Sequence, residues 1–223
     1  MRRVAPMLVV LVVALAATIG SAEAVGPPTE CSGTFMGAVP GNLVVPSGEA
    51  CTILGAMIGG DVLVEPGAVG FHSDHSTIDG SVHAPGPIVS DVRLVDSAVG
   101  DNVRVAQTQQ GTSIGICTST IGGTVNLDYN AGLIIVGLDF PVCPFPGGRN
   151  HIEGNLIVAH NSGGIGISFN TVDKSVHVNN NTNFQEIVNN EIALTLECAN
   201  NTPPPWPFSV GNTAKVFVGQ CTG

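Results

Sequence analysis

The phrase "IGGDVLVEPGAV" at 58–69 returns twenty residues later as "IDGSVHAPGPIV", and that return constrains the fold more than any other feature. The apolar residue that opens the phrase recurs as Val39, Ile58, Ile78, Val99, Ile121, Ile152, Val172 and Ile192, with Asn212 in the same place near the end. Successive spacings are 19, 20, 21, 22, 31, 20, 20 and 20, and the long interval carries the Pro-rich run "FPVCPFPGG" at 140–148. Four residues on lies a second apolar row: Leu43, Val62, Val82, Val103, Val125, Leu156, Val176, Leu196 and Val216. Two further on lies a third: Val45, Val64, Ala84, Val105, Leu127, Val158, Val178, Cys198 and Val218. Apolar positions two apart are the period of a half-buried strand, not of a helix.

A unit of about 20 residues, built from short strands between Gly, Asn and Pro turns, predicts a solenoid in which each unit is one coil. The expected fold is an all-β, single-stranded, right-handed parallel β-helix of about nine coils. At about 4.8 Å per coil the rod is on the order of 40 Å long. A β-propeller needs longer repeats, and a left-handed hexapeptide helix needs a six-residue subperiod that is missing. Glycines at 41, 60, 80, 123 and 154 precede the strand and read as tight bends. Asparagines also recur in register, at 130, 161, 181 and 201 and at 150, 170 and 190. They read as hydrogen-bonded ladders at turns rather than as a polar binding site.

The first residues read as a targeting segment. Arg2 and Arg3 precede the apolar run "MLVVLVVALAATIG", and "SAEA" offers small residues for cleavage after Ala24. Residues 1–24 are therefore expected to be a signal peptide, and 25–223 the β-helix domain with a Pro-rich excursion at about 130–150. No second apolar run is long enough to span a bilayer. Removing Arg2, Arg3 and Glu23 from 7 basic and 17 acidic residues leaves 5 and 16, a balance of −11. Nucleic acid and anionic membrane are excluded as partners on that balance, since both need Lys and Arg to displace counterions.

Six cysteines follow the leader: Cys31, Cys51, Cys117, Cys143, Cys198 and Cys221. An even count in an exported chain, without C-x-x-C spacing, points to disulfides rather than zinc or thiol-redox chemistry. Cys31 and Cys51 are one coil apart and would staple the start. Cys198 and Cys221 would tie down the last coils, and Cys117 and Cys143 would pin the excursion.

The ending "LTLECANNTPPPWPFSVGNTAKVFVGQC" resembles the closing segment of short secreted bacterial proteins with a pectin-lyase-like, right-handed β-helix. The shared elements are Leu196, Cys198, Asn201–Pro203, Gly211–Asn212 and Gly219–Cys221. With the Gly-x-Val-x-Val phrases, the resemblance covers 31–221. It implies the fold and secretion. Most members of that group have no assigned activity, so it implies no catalytic residue. The Gly-Asp-Val phrasing also resembles polymer-forming bactofilins, from which an exported chain departs.

Two clusters carry candidate chemistry. His72, Asp74 and His75 in "FHSDHS" hold the residue types of a transition-metal site, although a polar turn between coils is the favoured reading. Arg149, His151 and Glu153 in "GGRNHIEG" follow the excursion and are the candidate catalytic residues, with Asp139 nearby in sequence. No cofactor is expected. Glycan binding usually shows aromatic platforms, and Tyr129 and Trp206 stand far apart. Thr77, Thr120 and Thr171 share a phase but skip coils, unlike an ice-binding row. Asn180 and Asn200 fall in N-x-T sequons that the asparagine repeat itself explains. The expectation is a secreted, extracellular, non-catalytic protein with a structural or adhesive role, its partner an extracellular polysaccharide or envelope protein. The alternatives are a small polysaccharide lyase or hydrolase, or a passive glycan-binding module.

Overall fold

Each apolar–x–apolar phrase is a strand because its two outer residues point into the solenoid and its middle residue points out. Leu43 and Val45 are fully buried and Val44 is half-buried, a pattern that successive coils repeat. A computed structural model describes residues 27–138, 142–143, 148–205 and 211–221. The leader, Asp139 and Trp206 lie outside the described residues. Among the described residues there is no helix long and apolar enough to cross a membrane.

Three parallel sheets enclose one apolar core, and the chain visits them in rotation until the last coil, where Thr195–Ala199 and Val216–Gly219 both join sheet 1. Sheet 1 runs from Thr29–Glu30 and Leu43–Val45 through to Thr195–Ala199 and Val216–Gly219. Sheet 2 runs from Gly33–Phe35 to Gln185–Val188, and sheet 3 from Ala38–Val39 to Glu191–Ile192. This is the expected parallel β-helix of about nine coils. Val39 pairs with Ile58, Ile58 with Ile78, and so on to Val172 with Ile192, so the opening row is one column of sheet 3. Sheet 2 supplies a third inward face, with Phe71, Val92, Ile114, Ile134 and Ile165 stacked in register.

Polar side chains organise the corners. Ser76, Ser97, Ser119, Asn150, Asn170, Asn190 and Asn212 form one column that joins coil to coil. Thr108, Asn130, Asn161, Asn181, Asn201 and Gln220 form another. Among the described residues, all ten non-glycine residues with positive φ sit immediately before a member of one of these columns, at φ of 46–58°. The left-handed backbone that lets the chain turn the corner costs about 1–2 kcal/mol per residue, and the buried ladder bonds offset it.

The glycines at 60, 80, 123 and 154 lie at the bends expected of them, and close approach gives a second reason for them. Next to them runs a third ladder of Asn42, Asp61, Ser81, Asn102, Thr124, Asn155 and Ser175, each accepting a backbone N–H from the following coil. A Cβ on Gly123 would lie 2.6 Å from Asn102 Oδ1, so the bare Cα makes room for the ladder.

The last coil slips by one residue from the sequence reading. Leu196 pairs with Phe217 and Cys198 with Gly219, so Val216 and Val218 do not continue the inward rows. Asn212 is likewise not in the opening row; it bonds Asn190 and closes the asparagine column. The reason is that 21 residues separate Leu196 from Phe217 and 22 separate Asn190 from Asn212, where 20 was expected. Disulfides join Cys31–Cys51, Cys117–Cys143 and Cys198–Cys221. Leu133–Gly137 is an ordinary strand of sheet 2, so the excursion falls within 138–149. Its Val142 and Cys143 fold back over the outer face of sheet 2 and bury Ile135 beside Cys117.

Candidate functional site

Sheet 3 brings together what the sequence separates around the excursion. Asn150–Ile152 re-enters the sheet with Ile152 pointing inward, so His151 and Glu153 point outward. One coil on, Thr171 pairs with His151, and Asp173 follows inward Val172. His151 Nε2 lies 3.0 Å from Asp173 Oδ2. Arg149 reaches two coils along, and its guanidinium lies 2.9 Å from Glu191 Oε1. Asp173, Glu191, Thr171 and Thr213 line an open groove of about 340 Å³. The candidate trio therefore does share one face, and Asp173 and Glu191 complete it.

The chemistry this face offers is limited by its pairing. Both ion pairs are solvent-exposed, and exposed pairs stabilise by at most about 1 kcal/mol. A glycosidase or lyase needs its carboxylates held in a cleft that excludes water. Here Glu153, Asp173 and Glu191 are all exposed, and the cation and imidazole nearby are already engaged.

The metal candidates separate. His72 points outward from sheet 2, with Nε2 3.8 Å from Asp91 Oδ2. His75 turns the next corner, where Nδ1 is 2.6 Å from Asp74 and Nε2 is 3.4 Å from Asp96. The two histidines face different carboxylates, and among the described residues no three His, Cys, Asp or Glu side chains converge as a metal site. Burial, helped by the positive charge of Arg93, lowers the His72 pKa from its ordinary value despite the pull of Asp91. The polar-turn reading of "FHSDHS" is the one the geometry favours.

Inter-coil pairing of this kind recurs: His160 bonds Asp128 at 2.9 Å and His177 bonds Glu197 at 2.9 Å. Tyr129 stacks on His160 with ring centroids 4.7 Å apart, so one face of this exposed ring is already covered. These partners lie 20 to 32 residues apart in sequence and meet only across neighbouring coils.

Sheet 1 carries a second outward row, Val44, Leu63, His83, Arg104, Asn126, Ile157, His177 and Glu197, in continuous register. Comparison with known protein families, characterised proteins and solved structures finds no match.

Proposed function

We propose that this protein is an exported, non-catalytic β-helix rod with a structural or adhesive role at the cell exterior or envelope. The observation that carries this reading is the pairing on sheet 3: Arg149 is held by Glu191 and His151 by Asp173, on an open face. Three disulfides and one continuous apolar core suit a rod that persists in an oxidising compartment. Cleavage after Ala24 and kinship with secreted pectin-lyase-like proteins belong to the same proposal, on the motifs described above.

The second reading is a carbohydrate-active enzyme. It is favoured by one observation, that Asp173 and Glu191 join Arg149, His151 and Glu153 beside a groove. Incubating the oxidised protein with acidic and neutral polysaccharides, with and without calcium, separates the two. Size-exclusion chromatography should leave every polymer at its original size. A polymer shortened by the wild type but not by His151→Ala would establish the enzyme instead.

A further inference from the structure

The outward row of sheet 1 contains a cluster that nothing else in the fold uses. His83, Arg104 and Asn126 occupy the same register on three successive coils. His83 Nε2 and Asn126 Oδ1 are buried and have no hydrogen-bond partner. Arg104 stands exposed between them, and among the described residues it has neither a carboxylate nor a hydrogen-bond partner. Buried polar atoms are paired in the great majority of cases, so two orphans flanking a free cation call for an explanation.

The row continues into a groove of about 470 Å³, floored by Val44 and Leu63 and reaching His83. From Val44 to Asn126 is four coil steps, about 19 Å. That length and its apolar floor suit several sugar rings laid along the solenoid axis. On the rim, Asp61 already accepts the Ser81 N–H at 2.8 Å, so part of its charge is engaged within the ladder.

We infer that this row binds a mostly neutral glycan carrying one carboxylate, with the acid group on Arg104 and ring hydroxyls on His83 and Asn126. Arg104 supplies a planar donor fork that fits a carboxylate. Asn126 Oδ1 accepts only, and His83 Nε2 donates or accepts according to tautomer; hydroxyls, which do both, satisfy either atom. Both orphan atoms flank Arg104 in the row, and the inference requires that a ligand seated on Arg104 brings its hydroxyls onto them. One free cation matches one carboxylate; a polyuronate would be repelled by a mature chain with a charge balance of −11. The inference deepens the adhesive reading above and rests on it.

The test uses the oxidised wild-type protein and a xylo-oligosaccharide bearing a single glucuronic acid. Calorimetric titration should give measurable binding, and the His83 ring resonances should shift. The carboxyl-reduced oligosaccharide and Arg104→Gln should each bind at least tenfold more weakly. Lys174→Gln, which removes a distant exposed cation, should bind as the wild type does. No binding by the wild type, or equal binding by Arg104→Gln, overturns the inference. Shortening of the oligosaccharide in the same samples would instead overturn the non-catalytic reading, so the two failures are told apart.

Discussion

The Ser119 amide donates to Asn150 Oδ1 at 2.7 Å across the 31-residue gap that the excursion opens in the repeat. At this rung the serine ladder becomes the asparagine ladder, and the column stays unbroken. Asn150 also donates to the Ile116 carbonyl at 2.7 Å and to Asn170 Oδ1 at 2.9 Å, fully buried throughout. Asn150→Ala therefore strands the buried Ser119 N–H and takes a donor from the Ile116 carbonyl and from Asn170 Oδ1, a loss of about 3–5 kcal/mol. Asn102→Ala removes one bond of the outer ladder, from the half-buried Thr124 N–H to an exposed Asn102 side chain, where water substitutes and the loss is about 0.5–1 kcal/mol. Urea unfolding with disulfides intact measures both. Equal losses would mean that burial does not set the strength of these ladders.

The disulfide Cys117–Cys143 differs from the other two in where it lies. Cys117 packs with Val142, Cys143 and Ile135 on the outside of sheet 2, apart from the main core. A bridge closing a loop of this size, with a sequence separation of 26, stabilises by about 3 kcal/mol in the chain-entropy account. Replacing both cysteines by Ser should release the excursion while leaving the coils intact. Limited proteolysis should then cut within 138–149 and leave two fragments that stay associated. Cuts spread along the coils would show that the bridge holds the rod itself.

Much of this architecture was readable from the spacing of apolar residues, because a solenoid writes its register directly into the sequence. Val39 through Ile192 mark one column, and every pair in it is in register. Sheet 2 was harder to see. Its inward row is interrupted by Ser73 and Gln185, both buried, and the excursion separates Ile134 from the coil's next strand. The last coil was misread because Asn190 to Asn212 spans 22 residues and Leu196 to Phe217 spans 21, which leaves valines at tempting positions. The functional surface was less legible still. Arg149 and Glu191, or His83 and Arg104, come together only when outward positions are stacked, and outward residues have no hydrophobic period to give them away.

His72 makes the stability of the rod depend on pH. Its folded pKa is lowered from 6.5, chiefly by burial, so around and below that pH the unfolded chain takes up the proton more readily. The stability this neutral imidazole contributes is present above pH 6.5 and is lost as the pH falls through 6.5 toward the folded value. The melting temperature of the wild type relative to His72→Gln should therefore decline between pH 7.5 and pH 5. Parallel melting profiles for the two proteins over that range would contradict this account.

Gly123 tests whether close approach, not flexibility, explains the glycine column. A Cβ there would lie 2.6 Å from Asn102 Oδ1 and 2.8 Å from the Asp101 peptide carbon and oxygen. A peptide group cannot swing aside as a side chain can, so the two coils must be forced apart. Gly123→Ala should cost about 1–3 kcal/mol, the usual range for overpacking. Gly164 offers the comparison, because its Cβ would meet only Leu133 Cδ1 at 3.4 Å. Gly164→Ala should be close to neutral by thermal melting. If the two substitutions cost the same, backbone entropy alone accounts for the glycines, and the room they leave for the outer ladder does not matter.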